Sequence, residues 1–193
     1  HNVEPGTRPG FLYQQNTMRD ALVAGLSLNI FNNHSDRVKM ANIAQTVNVL
    51  QAMVLTEEDE MILTPTYHVF DMYQVHHDAT YLPLKLNSHE YTFDGEEIPA
   101  VTGSASMDNE GRVHITLTNA DPNKAVSVEC FLDGEKELNF NRGQILTHSE
   151  MNAHNTFENP DKVTIQDFDN AEVQEDRIEI NIPAKSVVMV EFN

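Results

Sequence analysis

The 193-residue chain carries 12 Lys+Arg against 30 Asp+Glu, a formal charge of −18, which makes nucleic acid and anionic membrane surfaces unsuitable partners. A cut after Glu96 leaves 5 basic against 12 acidic residues before it and 7 against 18 after it, so neither half hides a basic stripe. With 40% apolar and 22% charged residues the composition is globular, with enough chain for one sizeable core or two small ones. No apolar run approaches the roughly 18 residues of a membrane span. The start His1-Asn2-Val3-Glu4 lacks a signal-peptide layout, and a chain opening on His reads as the inside of a longer polypeptide. The single cysteine, Cys130, lies in a strand-like alternation and reads as a small core residue. Nothing in this fixes a compartment.

From Phe11 to Phe31 the spacing predicts one long helix, with Leu12, Met18, Ala21, Leu22, Leu26, Leu28 and Ile30 broken mainly by amides and Gly25. Its second half is apolar nearly all round, so it must be covered on several sides. After the polar turn Asn32-Asn33-His34-Ser35-Asp36, the run Arg37-Val38-Lys39-Met40-Ala41-Asn42-Ile43-Ala44 predicts a buried parallel strand. Thr46 to Leu63 reads as a long connection with the acidic tip Glu57-Glu58-Asp59-Glu60. A second helix is expected from the N-cap Thr64 and the helix-opening Pro65 through Tyr67, Phe70 and Tyr73 to His77.

Beyond Pro83 the period becomes two. Leu82/Leu84/Leu86, Val113/Ile115/Leu117, Val126/Val128/Cys130/Leu132, Ile178/Ile180/Ile182 and Val188/Val190/Phe192 alternate mainly with polar residues. Asp94-Gly95, Asp108-Asn109-Glu110-Gly111, Asp121-Pro122-Asn123, Asp133-Gly134 and Asn159-Pro160-Asp161 supply the turns, the signature of an antiparallel sandwich. The expected organisation is α/β plus all-β: residues 1–80 as an incomplete α/β end with one helix-strand-helix, and residues 81–193 as a β-sandwich able to fold alone. One βα unit is about an eighth of a (β/α)8 barrel.

No motif for a cofactor, metal or catalytic centre emerges. His76-His77-Asp78 has metal-ligand residue types, but neighbours on a helix point apart, and a polar helix end with cations near the C-terminus is the expected reading. Glu57-Glu58-Asp59-Glu60 and Glu96-Glu97 read as solvated loop tips. Asn33-His34-Ser35 fits the glycosylation triplet by composition alone.

Val3-Glu4-Pro5-Gly6-Thr7, Pro9 through Ala24, Asp36 through Gln45, Leu63-Thr64-Pro65-Thr66-Tyr67-His68-Val69-Phe70 and Met151 through Pro160, in this order, resemble the C-terminal part of α-L-arabinofuranosidases of glycoside hydrolase family 51. The resemblance implies the C-terminal end of a (β/α)8 TIM barrel followed by an antiparallel, jelly-roll-like β-sandwich. It also implies retaining removal of terminal α-L-arabinofuranosyl groups from arabinan, arabinoxylan or related oligosaccharides. The two glutamates of the family's chemistry fall outside these residues, so no catalytic residue is assigned here. By the resemblance, Gln45 ends the eighth barrel strand and contacts the arabinofuranose, where an amide can both donate to and accept from sugar hydroxyls without adding charge. Asn42 and Asn48 order the neighbouring loop, and Met151 to Pro160 packs the sandwich onto the barrel. The implied partners are the remainder of a parent polypeptide and an arabinofuranosyl saccharide; homo-oligomer formation is left open. The alternative is a non-catalytic carbohydrate-binding or structural module, less favoured because the chain has no Trp and few aromatics outside core-like positions.

Overall fold

The computed structural model describes residues 16–44, 46–49, 51–131, 138–174 and 177–193. Helix α1 (Met18–Asn33) starts where Thr17 donates from both its backbone N–H and its hydroxyl to Asp20 Oδ2, each at 2.8 Å. A hairpin of β1 (Val54–Glu57) and β2 (Glu60–Leu63) leads to α2 (Pro65–Met72). The Thr64 hydroxyl accepts from the Tyr67 N–H, so the Thr64-Pro65 start holds, and a 3₁₀ turn over Tyr73–His76 continues the helix. Short β3 (Thr80–Leu82) precedes a second hairpin, β4 (Glu90–Phe93) and β5 (Glu96–Pro99). The remaining strands are β6 (Val101–Met107), β7 (Val113–Asn119), β8 (Val126–Cys130), β9 (Phe140–Thr147), β10 (Gln166–Asp167), β11 (Ala171–Val173), β12 (Ile178–Ile182) and β13 (Ser186–Phe192).

These strands pair antiparallel in a six-stranded sheet, β10-β9-β13-β7-β6-β3, and a three-stranded sheet, β11-β12-β8. Between the sheets lies one core, built from Val101, Ile115, Leu117, Ile145, Phe168, Ile178, Ile180, Ile182, Val188, Val190 and Phe192 among others, with Cys130 buried in it. Burial pushes the Cys130 thiol up to about 11, so it is an inert packing group. Leu84 and Leu86 pack on this core from the irregular stretch after β3.

The other face of the six-stranded sheet is covered by α1 and α2. Met18, Ala21, Leu22, Val69, Met72 and Tyr73 meet Leu146, Val187 and Met189 in a second core. The chain is therefore layered as helices, large sheet and small sheet. Gly25 is the point of closest approach: an added Cβ would lie 2.4 Å from Thr118 Oγ1.

Four expectations change. Arg37 to Ala44 is not a strand: it is irregular, with only Val38 and Ile43 half-buried, because no described strand lies beside it to take its backbone groups. The connection from Thr46 to Leu63 contains the β1–β2 hairpin, with Glu57 to Glu60 at its tip. Strand β13 is buried on both faces, since Val187 and Met189 face the helices while Val188 and Val190 face the small sheet. Helix α1 is described from Met18; the predicted start at Phe11 and the strand residue Leu132 lie outside the described residues. Its covered stripe is Met18, Ala21, Leu22, Gly25 and Asn29, whereas Val23 and Ile30 are 56% and 54% exposed.

Candidate functional site

The segment around residue 45 is built on the start of α1. Thr46 C=O accepts from the Met53 and Val54 N–H groups at 3.0 and 3.1 Å, and Val47 pairs in parallel with Val54. The Asn16 side chain and the Thr64 hydroxyl both donate to the Ala52 carbonyl, and the Gln51 amide donates to Asp20 at 3.3 Å. The loop is thus tied to both helix N-termini. Asn48 and Gln51 hold left-handed backbone, with φ of 53° and 62°. Asn48 offsets this by donating to Thr56 Oγ1 at 2.8 Å and accepting from the Thr56 N–H at 2.8 Å, which fits its expected loop-ordering role. Gln45 itself lies outside the described residues, and Asn42 is exposed.

Two open depressions flank this loop. A groove of about 690 Å³ runs between the end of α1, residues 38–41 and α2, with Phe31, Met40, Tyr67, Phe70 and His77 on its walls. A smaller one of about 210 Å³ is lined by Asp20, Val23, Ala41, Asn42, Gln51 and Phe70. Both expose apolar side chains beside amides and carboxylates.

Under the helices lies a polar seam that the sequence reading missed. Asn29 is fully buried, and its Oδ1 accepts from Tyr73 Oη (2.9 Å), Ser104 Oγ (3.0 Å) and Thr116 Oγ1 (3.1 Å), while its amide donates to Thr102 Oγ1 at 3.1 Å. The Asn32 and Asn33 amides reach Ser104 Oγ and the Gly103 carbonyl, so the asparagine of the glycosylation triplet is engaged with the sheet. His76 is not a solvated helix end. Its Nδ1 lies 2.7 Å from Ser106 Oγ and its Nε2 3.0 Å from Thr116 Oγ1; burial, with His114 and His77 adding to it, pushes its pKa down to about 4. Desolvation pushes the Tyr73 phenol up to about 12 against its hydrogen bonds with Thr118, Thr116 and Asn29. Farther along, buried Glu191 pairs with His114 at 3.0 Å and with Arg142 at 3.2 Å.

A general acid of glycoside hydrolysis needs a raised carboxyl pKa. Burial pushes Glu191 and Asp121 up, yet hydrogen bonds outweigh it and leave both below the ordinary range: from Asn141, His114 and Arg142 for Glu191, and from His89, Asn123 and Lys124 for Asp121. Asp108 and Glu158 are also held low. None of these four suits that role. Among the described residues no three His, Cys, Asp or Glu side chains are grouped to hold a metal, and no helix is long and apolar enough to cross a membrane. Glu57 to Glu60 and Glu96-Glu97 are exposed, as expected of loop tips. The Met151 to Pro160 segment packs against the start of α1 and the end of β2: the Ala153 and Met151 carbonyls accept from the Met18 and Arg19 N–H groups, and the Asn155 amide donates to the Leu63 carbonyl.

The arrangement recurs in known proteins. An intracellular exo-α-L-arabinofuranosidase of Bacteroides ovatus is 47% identical over 190 residues, covering 98% of this chain and 37% of that protein. The crystal structure of the family 51 arabinofuranosidase from Xanthomonas axonopodis pv. citri superposes with a TM-score of 0.92 at 48% identity, over 98% of this chain and 38% of that one. The family 51 α-L-arabinofuranosidase structure from Bifidobacterium longum gives a TM-score of 0.84 at 26% identity, covering all of this chain and 38% of that one. The chain thus spans little more than a third of the length of these proteins. The family model described as the alpha-L-arabinofuranosidase C-terminal domain matches residues 1–186, and the chain belongs to that family.

Proposed function

We propose that these residues form the C-terminal part of a retaining glycosidase that releases terminal α-L-arabinofuranosyl groups from arabinan, arabinoxylan or related oligosaccharides. Membership of the C-terminal domain family carries this reading. Retention needs an acid/base and a carboxylate nucleophile about 5 to 5.5 Å apart, and both glutamates belong to the remainder of the parent polypeptide. The groove beside α2 and the exposed Val23 and Ile30 are where that remainder packs. Residues 1–80 then join the barrel and residues 81–193 form the sandwich. Gln45 supplies neutral donor and acceptor contacts to the sugar hydroxyls.

The test compares this chain alone with a fusion in which it replaces the matching part of the Bacteroides ovatus relative. The chain alone should not turn over an aryl arabinofuranoside, and the fusion should, with anomeric retention. In the fusion, Gln45→Ala should lower kcat/KM roughly 3- to 150-fold, the worth of one or two neutral hydrogen bonds, with the melting temperature unchanged. Turnover by the chain alone that disappears on mutating one of its own acids would overturn the proposal.

A further inference from the structure

The 3₁₀ turn after α2 is pinned to the large sheet by one ring. His76 Nδ1 lies 2.7 Å from Ser106 Oγ on β6, and Nε2 lies 3.0 Å from Thr116 Oγ1 on β7. Thr116 directs its own hydrogen to Asn29 Oδ1 at 3.1 Å, so it accepts from His76 Nε2–H, which leaves Nδ1 to accept from Ser106. This pairing uses the neutral imidazole, with one donor and one acceptor. A proton added at Nδ1 removes that acceptor and sets a positive charge against two uncharged hydroxyls.

The surroundings of the ring oppose that charge. Ser106, His114, Glu191 and Arg142 are successive cross-strand neighbours on β6, β7, β13 and β9, with Tyr81 of β3 at the edge, so they share the face that His76 meets. Glu191 is the carboxylate of this row, and it is already held by His114 at 3.0 Å, Arg142 at 3.2 Å and the Asn141 amide, with Arg112 also in its field. From the helical side, α1 brings only the neutral amides of Asn29, Asn32 and Asn33 to this face, while Asp71 of α2 accepts from Gln74 Nε2 at 2.9 Å. The Tyr73 ring stands 5.7 Å from that of His76; His77 and Asp78 follow along the chain, both exposed, and Lys39 lines the same groove as His76. Desolvation, with repulsion from His114 and then His77, is what holds the His76 pKa at about 4.

The turn can leave the sheet without disturbing the inter-sheet core. At its start Tyr73 is buried and donates to Asn29 Oδ1, a fixed pivot. Just past its end Asp78 holds left-handed backbone, with φ of 55°, a conformation that a non-glycine residue keeps only under constraint. Between these points Gln74 and His77 are exposed, Val75 and His76 are half-buried, and the groove of about 690 Å³ brings solvent to the His76 side. We propose that residues 74–77 form an acid-released latch, in which a proton on His76 frees the turn from β6 and β7 while the inter-sheet core stays folded. The released residues form one wall of the groove, so its shape changes with them. The device belongs to the fold of this chain and does not rest on the function proposed above.

In the closed turn His76 takes a proton only near pH 4, whereas a ring released to water takes it at the ordinary 6.5, so closure is fully favoured above 6.5 and weakens as pH falls toward 4. Amide hydrogen exchange of the 193-residue chain at pH 7 and pH 5, corrected for intrinsic rates, tests this. The opening constant of residues 74–77 should rise roughly 20-fold at pH 5 and be indifferent to low urea, whereas the amides of β12 should exchange only through urea-dependent global unfolding. His76→Gln keeps a donor and an acceptor for Ser106 and Thr116 and should abolish the rise. A rise of the same size in His76→Gln, or exchange of residues 74–77 as urea-dependent as that of β12, overturns the proposal. Following the His76 ring signals of the unaltered chain by NMR needs no variant: titration near 4 supports the latch, and titration at the ordinary 6.5 in the folded protein overturns it.

Discussion

The Tyr73 hydroxyl donates to Asn29 Oδ1 at 2.9 Å, and this contact joins the two helices above the middle of the large sheet. Tyr73→Phe removes one of three donors to that oxygen and leaves Ser104 and Thr116 in place, so the loss should be about 1 kcal/mol. Asn29→Ala leaves several buried hydroxyls short of partners, and its cost should be larger, about 2 to 4 kcal/mol. The two changes share one network, so a double-mutant cycle by denaturant unfolding should show non-additivity above about 0.5 kcal/mol. Additive losses would mean that the seam is a set of separate pairs.

Gly25→Ala raises helix propensity by about 1 kcal/mol in isolation. In this chain the new Cβ would lie 2.4 Å from Thr118 Oγ1, so α1 must shift from the sheet and the net effect should be a loss of about 1 to 3 kcal/mol. Thr118→Ala in the same molecule removes the obstructing hydroxyl, and the double variant should recover part of the melting temperature lost by Gly25→Ala. A Gly25→Ala protein as stable as the parent would contradict the close approach.

His76 links stability to acidity. Its folded pKa of about 4 lies below the ordinary 6.5, so between these values the unfolded chain takes up a proton that the folded chain does not. The contribution is unaffected above pH 6.5, falls as pH drops from 6.5 to 4, and levels off below that, on the order of 3 kcal/mol in all. His76→Gln keeps hydrogen-bonding groups facing Ser106 and Thr116 without the titration, so its stability curve should be flatter over this window. Parallel curves for the two proteins would remove His76 from the account.

Deleting residues 1–78 uncovers Leu146, Val187 and Met189, together with the hydroxyl face of β6 and β7. The inter-sheet core is untouched by the deletion, so a cooperative melt should remain, at a lower temperature and with new binding of a hydrophobic dye. A non-cooperative transition would show that the helices and the sheets fold as one unit.

Several features of the fold follow from local order along the chain. Thr64-Pro65 set the start of α2 because a hydroxyl cap and a missing N–H both suit a first helical turn. The alternation of Ile178, Ile180 and Ile182 set the inward face of β12 because strand side chains alternate by geometry. Asp94-Gly95 set the hairpin turn because both residues tolerate positive φ. What the polar positions of β7 face is set by packing between distant segments: Thr116 and Thr118 look like a solvent side, yet both are buried under α1, where Asn29 and Tyr73 meet their hydroxyls. Those partners lie 45 to 89 residues from the threonines, too far for any window of sequence to pair them. The same reason governs residues 37–44: a run of apolar residues becomes a strand only when another strand lies beside it, and none of the described strands does.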